Sequence, residues 1–386
     1  MAKRAATKPP KPARALALAR QAGLKDKQTV AEARDFARHI LLFDSDDETT
    51  FSPHSLPRAA IMTAAARAPI PWPSGKAPQP KPITPKPRPA SPLPRCDYLL
   101  VTWTVEEAKC LADILTPGYA SKTDWYPYTH KFASEYASLI RHGAPAAQSK
   151  RLGSYFLTMI GGKRVLCFKS ELHMSQDGAR LPVAKLWSQL IAEVQPKLLI
   201  TTGTAGGIGA AIELGDVVVA PNVQFDCTKE FKNSSFHDAK YACSRLRTSN
   251  LAIAQRLIAA NVDHLPQSDR APKIFARPTG AVQNLDVVTT DFFAYDDTAD
   301  TFGLQPLGSA VEMGDAVLGM VIAQMQAAGQ TAPRWSAVRN ASDPQMDVTG
   351  LTPEAVRAKA GQIYERYGYW TTISSALACW ALVLDN

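Results

Sequence analysis

The stretch LLITTGTAGGIGAAIELGDVVVAP (residues 198–221) joins an apolar, β-branched run to a cluster of small residues and then to a second apolar run. LLITT (198–202) reads as a buried strand. In Gly203-Thr204-Ala205-Gly206-Gly207 the near-absence of side chains lets the backbone turn sharply, and it lets a ligand approach the main-chain N–H groups of Thr204, Ala205 and Gly206. Gly215-Asp216 is a turn pair, and DVVVAP (216–221) is a second buried strand stopped by Pro221. Strand, glycine loop, turn and strand make a site-building unit. No Gly-Lys-Ser/Thr follows, which excludes a Walker loop, and the spacing is not that of a GxGxxG dinucleotide fingerprint.

GTAGGIGAAIELGDVVVAP resembles the signature of the nucleoside phosphorylase superfamily, which holds the purine and uridine phosphorylases and the methylthioadenosine/S-adenosylhomocysteine nucleosidases. SAVEMGDAVLGMV (309–321) and WSAVRNASDPQ (335–345) follow in the order of the family pattern, so the resemblance spans roughly residues 97–384. It implies a three-layer α/β fold with a central mixed sheet flanked by helices. It also implies a small-molecule nucleoside substrate, no cofactor, and a homodimer or higher homo-oligomer.

Composition sets the rest of the frame. The 46% hydrophobic and 20% charged content is ordinary for a soluble globular protein. The formal charge of +8 belongs to the N-terminal quarter: residues 1–95 hold 17 Lys/Arg against 7 Asp/Glu, and the remainder holds 26 against 28. A nucleic-acid-binding body is therefore not expected. Six cysteines are scattered without CxxC or CxH spacing, so they read as reduced buried thiols with no metal site, in a reducing compartment. No apolar run approaches 18 residues, and the first residues lack the apolar core of a secretory signal; a cytoplasmic location is expected.

Four segments are expected along the chain. Residues 1–28 are a basic, disordered arm. Residues 29–68 are a short helical segment, opened by a capping box at Thr29-Val30-Ala31-Glu32 and carrying apolar residues from Ala33 to Leu41 at helical spacing. Residues 69–95 are a proline-rich linker whose composition favours an extended, semi-rigid spacer, so that removing residues 1–94 is expected to leave an active body. Residues 96–386 are the catalytic domain. There Tyr98–Thr104 reads as a strand, 155–171 as a hairpin turning at Gly161-Gly162, and 181–196, 250–262 and 313–329 as helices. A long helical segment over 353–384 is expected to break near Gly368. Residues 119–136 are rich in aromatics and read as a lid or a subunit interface.

Cleavage of an N-glycosidic bond requires a protonated leaving base, a stabilised cationic sugar and a nucleophile at the anomeric carbon. Asp343, in Ser342-Asp343-Pro344 at the end of a predicted strand, stands where open α/β sheets collect ligands. By resemblance it is the acid that protonates the base, and Ser342 orients it. Glu107, in the first turn of the helix after strand 98–104, corresponds by resemblance to the glutamate that activates water. The purine phosphorylases of the family carry an arginine two residues before the glycine loop. Thr201 stands there instead, and Arg164 and Arg339 match no motif position, so water rather than phosphate is the expected nucleophile. Glu312 and Met313 match the family's Glu-Met-Glu stretch, with Met313 as the floor of the sugar. Gly314 replaces its second glutamate, the residue that holds the ribose hydroxyls, and Asp315 is a candidate substitute. Phe293 falls in the region that stacks the base, and His173, in the loop after strand 165–169, is a further candidate. The expected activity is hydrolysis of a purine nucleoside or derivative to free base; the alternatives are a phosphorylase of the same fold and a non-catalytic nucleoside-binding module.

Overall fold

A computed structural model describes residues 28–61, 69–260 and 270–386. The basic arm expected over 1–28 lies, apart from Gln28, outside the described residues. Among these residues one mixed sheet contains β1 (Gln79–Pro80), β2 (Tyr98–Thr102), β3 (Tyr126–Tyr128), β4 (Gly153–Ile160), β5 (Lys163–Ser170), β6 (Leu198–Gly207), β7 (Val217–Val219), β8 (Asn222–Phe225), β9 (Lys240–Ala242), β10 (Ile274–Phe275), β11 (Val287–Thr289), β12 (Ala310–Glu312) and β13 (Arg334–Asp343). The longer helices are α1 (Val30–Leu42), α2 (Val105–Leu115), α3 (Pro182–Val194), α4 (Leu251–Ala259), α5 (Asp315–Ala327) and α6 (Pro353–Asp385). No helix among the described residues is long and apolar enough to cross a membrane.

The sheet branches at β6. β2 pairs in parallel with Leu198–Thr201 on one edge, while β13 runs parallel to Leu198–Gly206 on the other. β2 then turns away into α2, and β12 joins the vacated edge only at Gly206 and Gly207, antiparallel. Between these two partners the edge of β6 is left to side chains, and the candidate site lies there. The glycine cluster expected as a loop is therefore the second half of a strand, because β13 keeps hydrogen-bonding its other edge. A register shift between Ala341 and Asp343 re-aims the end of β13.

Two further expectations are corrected. Gly368 does not break α6; its missing Cβ makes room for the Tyr364 ring, whose Cε2 would otherwise lie 2.9 Å away. Residues 119–136 form no lid: Tyr126 and Tyr128 pair as β3 with β4, and the Tyr119 and Tyr126 rings stack on Phe156 at 4.5 and 5.3 Å.

The N-terminal segments are built into the body. α1 begins with the capping box read from the sequence: the Glu32 N–H donates to Thr29 Oγ1 at 3.2 Å and the Thr29 N–H to Glu32 Oε2 at 2.7 Å. Ala33, Ile40, Phe43 and Ile61 share a core cluster with Phe292, Phe293 and Tyr364. The proline-rich segment is more than a spacer. Gln79 and Pro80 pair with β4, Ile70 and Leu93 enter the main core, and the Trp380 indole donates to the Lys76 carbonyl at 2.8 Å. Proline tolerates such an edge position because the outer side of the strand asks for no N–H donor.

Candidate active site

Glu107 is placed by the start of α2. Thr104 caps the helix and accepts from the Glu107 N–H at 3.1 Å. The Glu107 carboxylate turns back over the cap. Its Oε2 accepts from Thr102 Oγ1 at 2.6 Å, Trp103 N at 3.0 Å and Thr104 N at 2.9 Å. Its Oε1 reaches across to β6, where the N–H and the hydroxyl of Thr204 both donate at 2.7 Å. Burial on its own would push this carboxyl up. The Arg339 charge, with the Thr102, Thr104 and Thr204 donors, instead holds it below the ordinary glutamate value.

Asp343 lies across the pocket in the opposite electrostatic condition. It is buried, and its one strong bond comes from Ser342 Oγ to Oδ1 at 2.8 Å. Oδ2 has no hydrogen-bond partner among the described residues. Burial pushes the acid up to about 7, with the Ser342 hydroxyl opposing. Gly206 permits this placement, since a Cβ there would lie 3.1 Å from Oδ2.

Arg339 joins the two halves. It is 2% exposed on β13, and its Nε donates to Asp315 Oδ2 at 2.8 Å while Nη2 reaches Glu312 Oε2 at 3.3 Å. The guanidinium also lies 4.9 Å from the centre of the Trp103 ring. Glu312 in turn accepts from the N–H groups of Gly314 at 2.6 Å and Asp315 at 3.0 Å, and from the Thr289 hydroxyl. Burial and the neighbouring Asp315 raise Glu312, and Arg339 opposes them.

Ten of the eleven residues singled out in the sequence line one pocket: Glu107, His173, Thr204, Ala205, Gly206, Phe293, Glu312, Met313, Ser342 and Asp343. Asp315 does not reach the wall, because Arg339 holds it behind. His173 is buried rather than solvent-facing, as a lone loop histidine would be. Its Nδ1 meets Ser175 Oγ at 2.8 Å and accepts from the Ser175 N–H, which leaves the ring proton on Nε2, and burial lowers its pKa to about 3. Arg339, set aside on motif position, is also on the wall. An arginine inside the apolar strand WSAVRNA is the signal that could have found it, since a buried guanidinium demands partners. Trp103 and Tyr364 also line the pocket, and α1 contributes Ile40 and Leu41. Phe36 of the same helix packs edge-on against Phe293 with ring centres 4.9 Å apart.

The profile of the phosphorylase superfamily matches residues 128–343, more than half of the chain. No curated protein matches it. Among solved structures the chain is similar to a 5′-methylthioadenosine/S-adenosylhomocysteine nucleosidase from Neisseria meningitidis, at 15% identity over 75% of this chain and 98% of that one, with a TM-score of 0.44. It is also similar to an S-adenosylhomocysteine nucleosidase from Streptococcus pyogenes, at 14% identity over 76% and 98% with a TM-score of 0.43. A third is the futalosine hydrolase of Helicobacter pylori, at 14% identity over 74% and 96% with a TM-score of 0.43. On the profile match and the three ordered motifs, the chain belongs to the phosphorylase superfamily.

Proposed function

We propose that this protein is a nucleoside N-glycosidase that hydrolyses the bond between a purine base and its sugar and releases the free base. One observation carries the reading. Two buried carboxyl groups on the same pocket are driven apart, Asp343 up to about 7 and Glu107 below its ordinary value. Such a split assigns an acid and an anion. Asp343 gives the proton on its unpartnered Oδ2 to N7 as the C1′–N bond breaks and its electron pair passes to the base. Water bonds to C1′ and gives up its proton on the Glu107 side. A weakly basic carboxylate serves there, because an oxocarbenium-like centre needs its charge more than its proton affinity. Rotation of the Thr204 hydroxyl away from Oε1 frees the lone pair that the water uses. Phe293, braced by Phe36, supplies the aromatic face for the base.

Phosphorolysis would ask for a cation free to take phosphate. Arg339 is the one cationic side chain among the described residues on the wall, and Asp315 and Glu312 already engage it. The deciding experiment is a panel of nucleosides and nucleotides assayed for free base with and without phosphate. Base release at the same rate in both conditions is expected. Release that requires phosphate and yields a sugar 1-phosphate would make the protein a phosphorylase. Binding without turnover would make it a nucleoside-binding module.

A further inference from the structure

In the family pattern the residue after Met313 is a glutamate that grips both ribose hydroxyls; here it is Gly314, and an indole has taken the space. A Cβ on Gly314 would lie 3.3 Å from Cζ2 and 3.5 Å from Cε2 of Trp103, so a side chain added there would press on the ring and have to pass around it. The ring is fixed. Its centre lies 4.9 Å from the Arg339 guanidinium, 6.3 Å from the His173 ring and 6.0 Å from the Trp187 ring, the latter two edge-on. Trp103 is 5% exposed and on the pocket wall, and its Nε1 has no hydrogen-bond partner among the described residues.

The carboxylates on and behind this wall are already committed: Asp343 keeps its free oxygen for the base, and the lone pair that Thr204 can release on Glu107 goes to the water. Glu312 takes two main-chain N–H groups, the Thr289 hydroxyl and Arg339; Asp315 is held by Arg339; Glu107 has five donors. A ribose diol brings one more hydroxyl proton in need of an acceptor than a deoxyribose does, and these committed carboxylates do not offer it one. The indole edge offers one N–H donor beside an apolar carbon edge. That matches one hydroxyl oxygen beside one methylene.

We infer that Trp103, in the room left by Gly314, makes the pocket selective for 2′-deoxyribonucleosides over ribonucleosides. The inference rests on the glycosidase reading and names the sugar class of that same site. A 2′-deoxy sugar also suits the proposed chemistry, because it lacks the electron-withdrawing oxygen that slows departure of the base.

The test compares matched pairs, adenosine with 2′-deoxyadenosine and guanosine with 2′-deoxyguanosine, on the full-length wild-type protein. The deoxy member of each pair is expected to have the higher kcat/KM by roughly 10- to 100-fold. Equal values, or a preference for ribose, would overturn the inference. The double variant Trp103→Ala, Gly314→Glu restores room and an acceptor, and the ratio is expected to shift toward ribose by at least about tenfold. An unchanged ratio in that folded variant would remove Trp103 as the cause. Should the double variant not fold, Trp103→Phe keeps a ring and removes the N–H; both members of a pair should then fall together, and no change in either would refute the indole contact. If no nucleoside is hydrolysed, the glycosidase reading falls. Calorimetric binding of the same pairs to wild type then decides the sugar preference alone: tighter deoxynucleoside binding supports it, and equal, weaker or undetectable binding overturns it.

Discussion

The carboxylate of Glu107 fills the space in which a side chain on Gly203 would stand. A Cβ at residue 203 would lie closer than van der Waals contact to Oε1, Oε2 and Cδ of that glutamate, and the backbone there has φ of +138°. The strand β6 and the first turn of α2 can therefore close on each other only through a glycine, and the closure puts Thr204 on Oε1.

Gly203→Ala tests this directly. The left-handed backbone and the overlap with a buried charge together should destabilise the fold by roughly 2–4 kcal/mol. Displacing the carboxylate should lower kcat/KM by about 10²-fold or more. Chemical denaturation and nucleoside kinetics give the two numbers; near wild-type values for both would show that Glu107 need not sit where it does.

Particular residues show what the sequence could disclose about this arrangement. Asp343, Ser342 and Glu107 were singled out because their short motifs resemble those of the family, and the fold brings all three to one pocket. Arg339 was not, because its role comes from pairing across the sheet with Asp315 and Glu312, which lie 24 and 27 residues away in the chain. Trp103 was hidden for a similar reason: nothing local says that its ring fills the place vacated at Gly314. The helical spacing of α1 was plain, but a periodic face does not name the surface that it covers. The proline-rich stretch misled for a physical reason. An extended chain without N–H donors suits a free spacer and a sheet edge equally.

The docking of α1 changes what removal of the N-terminal segments should do. Glu106 is 1% exposed and takes the Ser45 N–H at 2.7 Å as well as Lys109 at 2.9 Å. Glu365 takes His39 at 2.8 Å, Ser55 Oγ at 2.6 Å and the Leu56 N–H at 2.8 Å. Deleting residues 1–61 strips Glu365 of these three donors and Glu106 of one, uncovers Phe293 and Tyr364, and takes Ile40 and Leu41 from the pocket wall. We expect the truncated protein to be destabilised by at least about 3 kcal/mol, or to aggregate, and to lose activity. A truncation with an unchanged melting temperature and full turnover would show that the segment rests on the body without supporting it.

Arg339 offers a sharper energetic test. Arg339→Met leaves Asp315 and Glu312 buried without their cation, a change that typically costs about 3–5 kcal/mol. Adding Asp315→Asn removes one stranded charge, so the double variant should regain at least about 1 kcal/mol of that loss in urea unfolding. Activity should stay low in both, because Glu107 no longer has the guanidinium beside it. Strict additivity of the two substitutions would mean that the pair is not coupled.

The last prediction uses the acid itself. Asp343, pushed up to about 7 by burial, must be protonated to act while Glu107 stays ionised, so kcat/KM for a purine nucleoside should be level from about pH 5 to about pH 7 and fall tenfold per unit above that. His173, lowered to about 3, stays neutral across that range and adds no second limb. Asp343→Asn should cut turnover by roughly 10²- to 10⁴-fold and abolish the alkaline limb, while a nucleoside whose leaving group needs no proton is partly spared. The same shift has a stability consequence whose sign is fixed. A carboxyl whose folded pKa is raised favours the folded state fully at pH values below its unfolded value of 3.8, and that contribution is lost as pH rises to about 7. At pH 8 the wild type should therefore be a few kcal/mol worse off at this residue than at pH 3.5. Asp343→Asn carries no such titration, so its melting temperature relative to wild type should climb between pH 4 and pH 8. If the variant is inactive and the difference in melting temperature is flat with pH, Asp343 is not a buried acid near neutrality, and the assignment of the proton donor has to move elsewhere in the pocket.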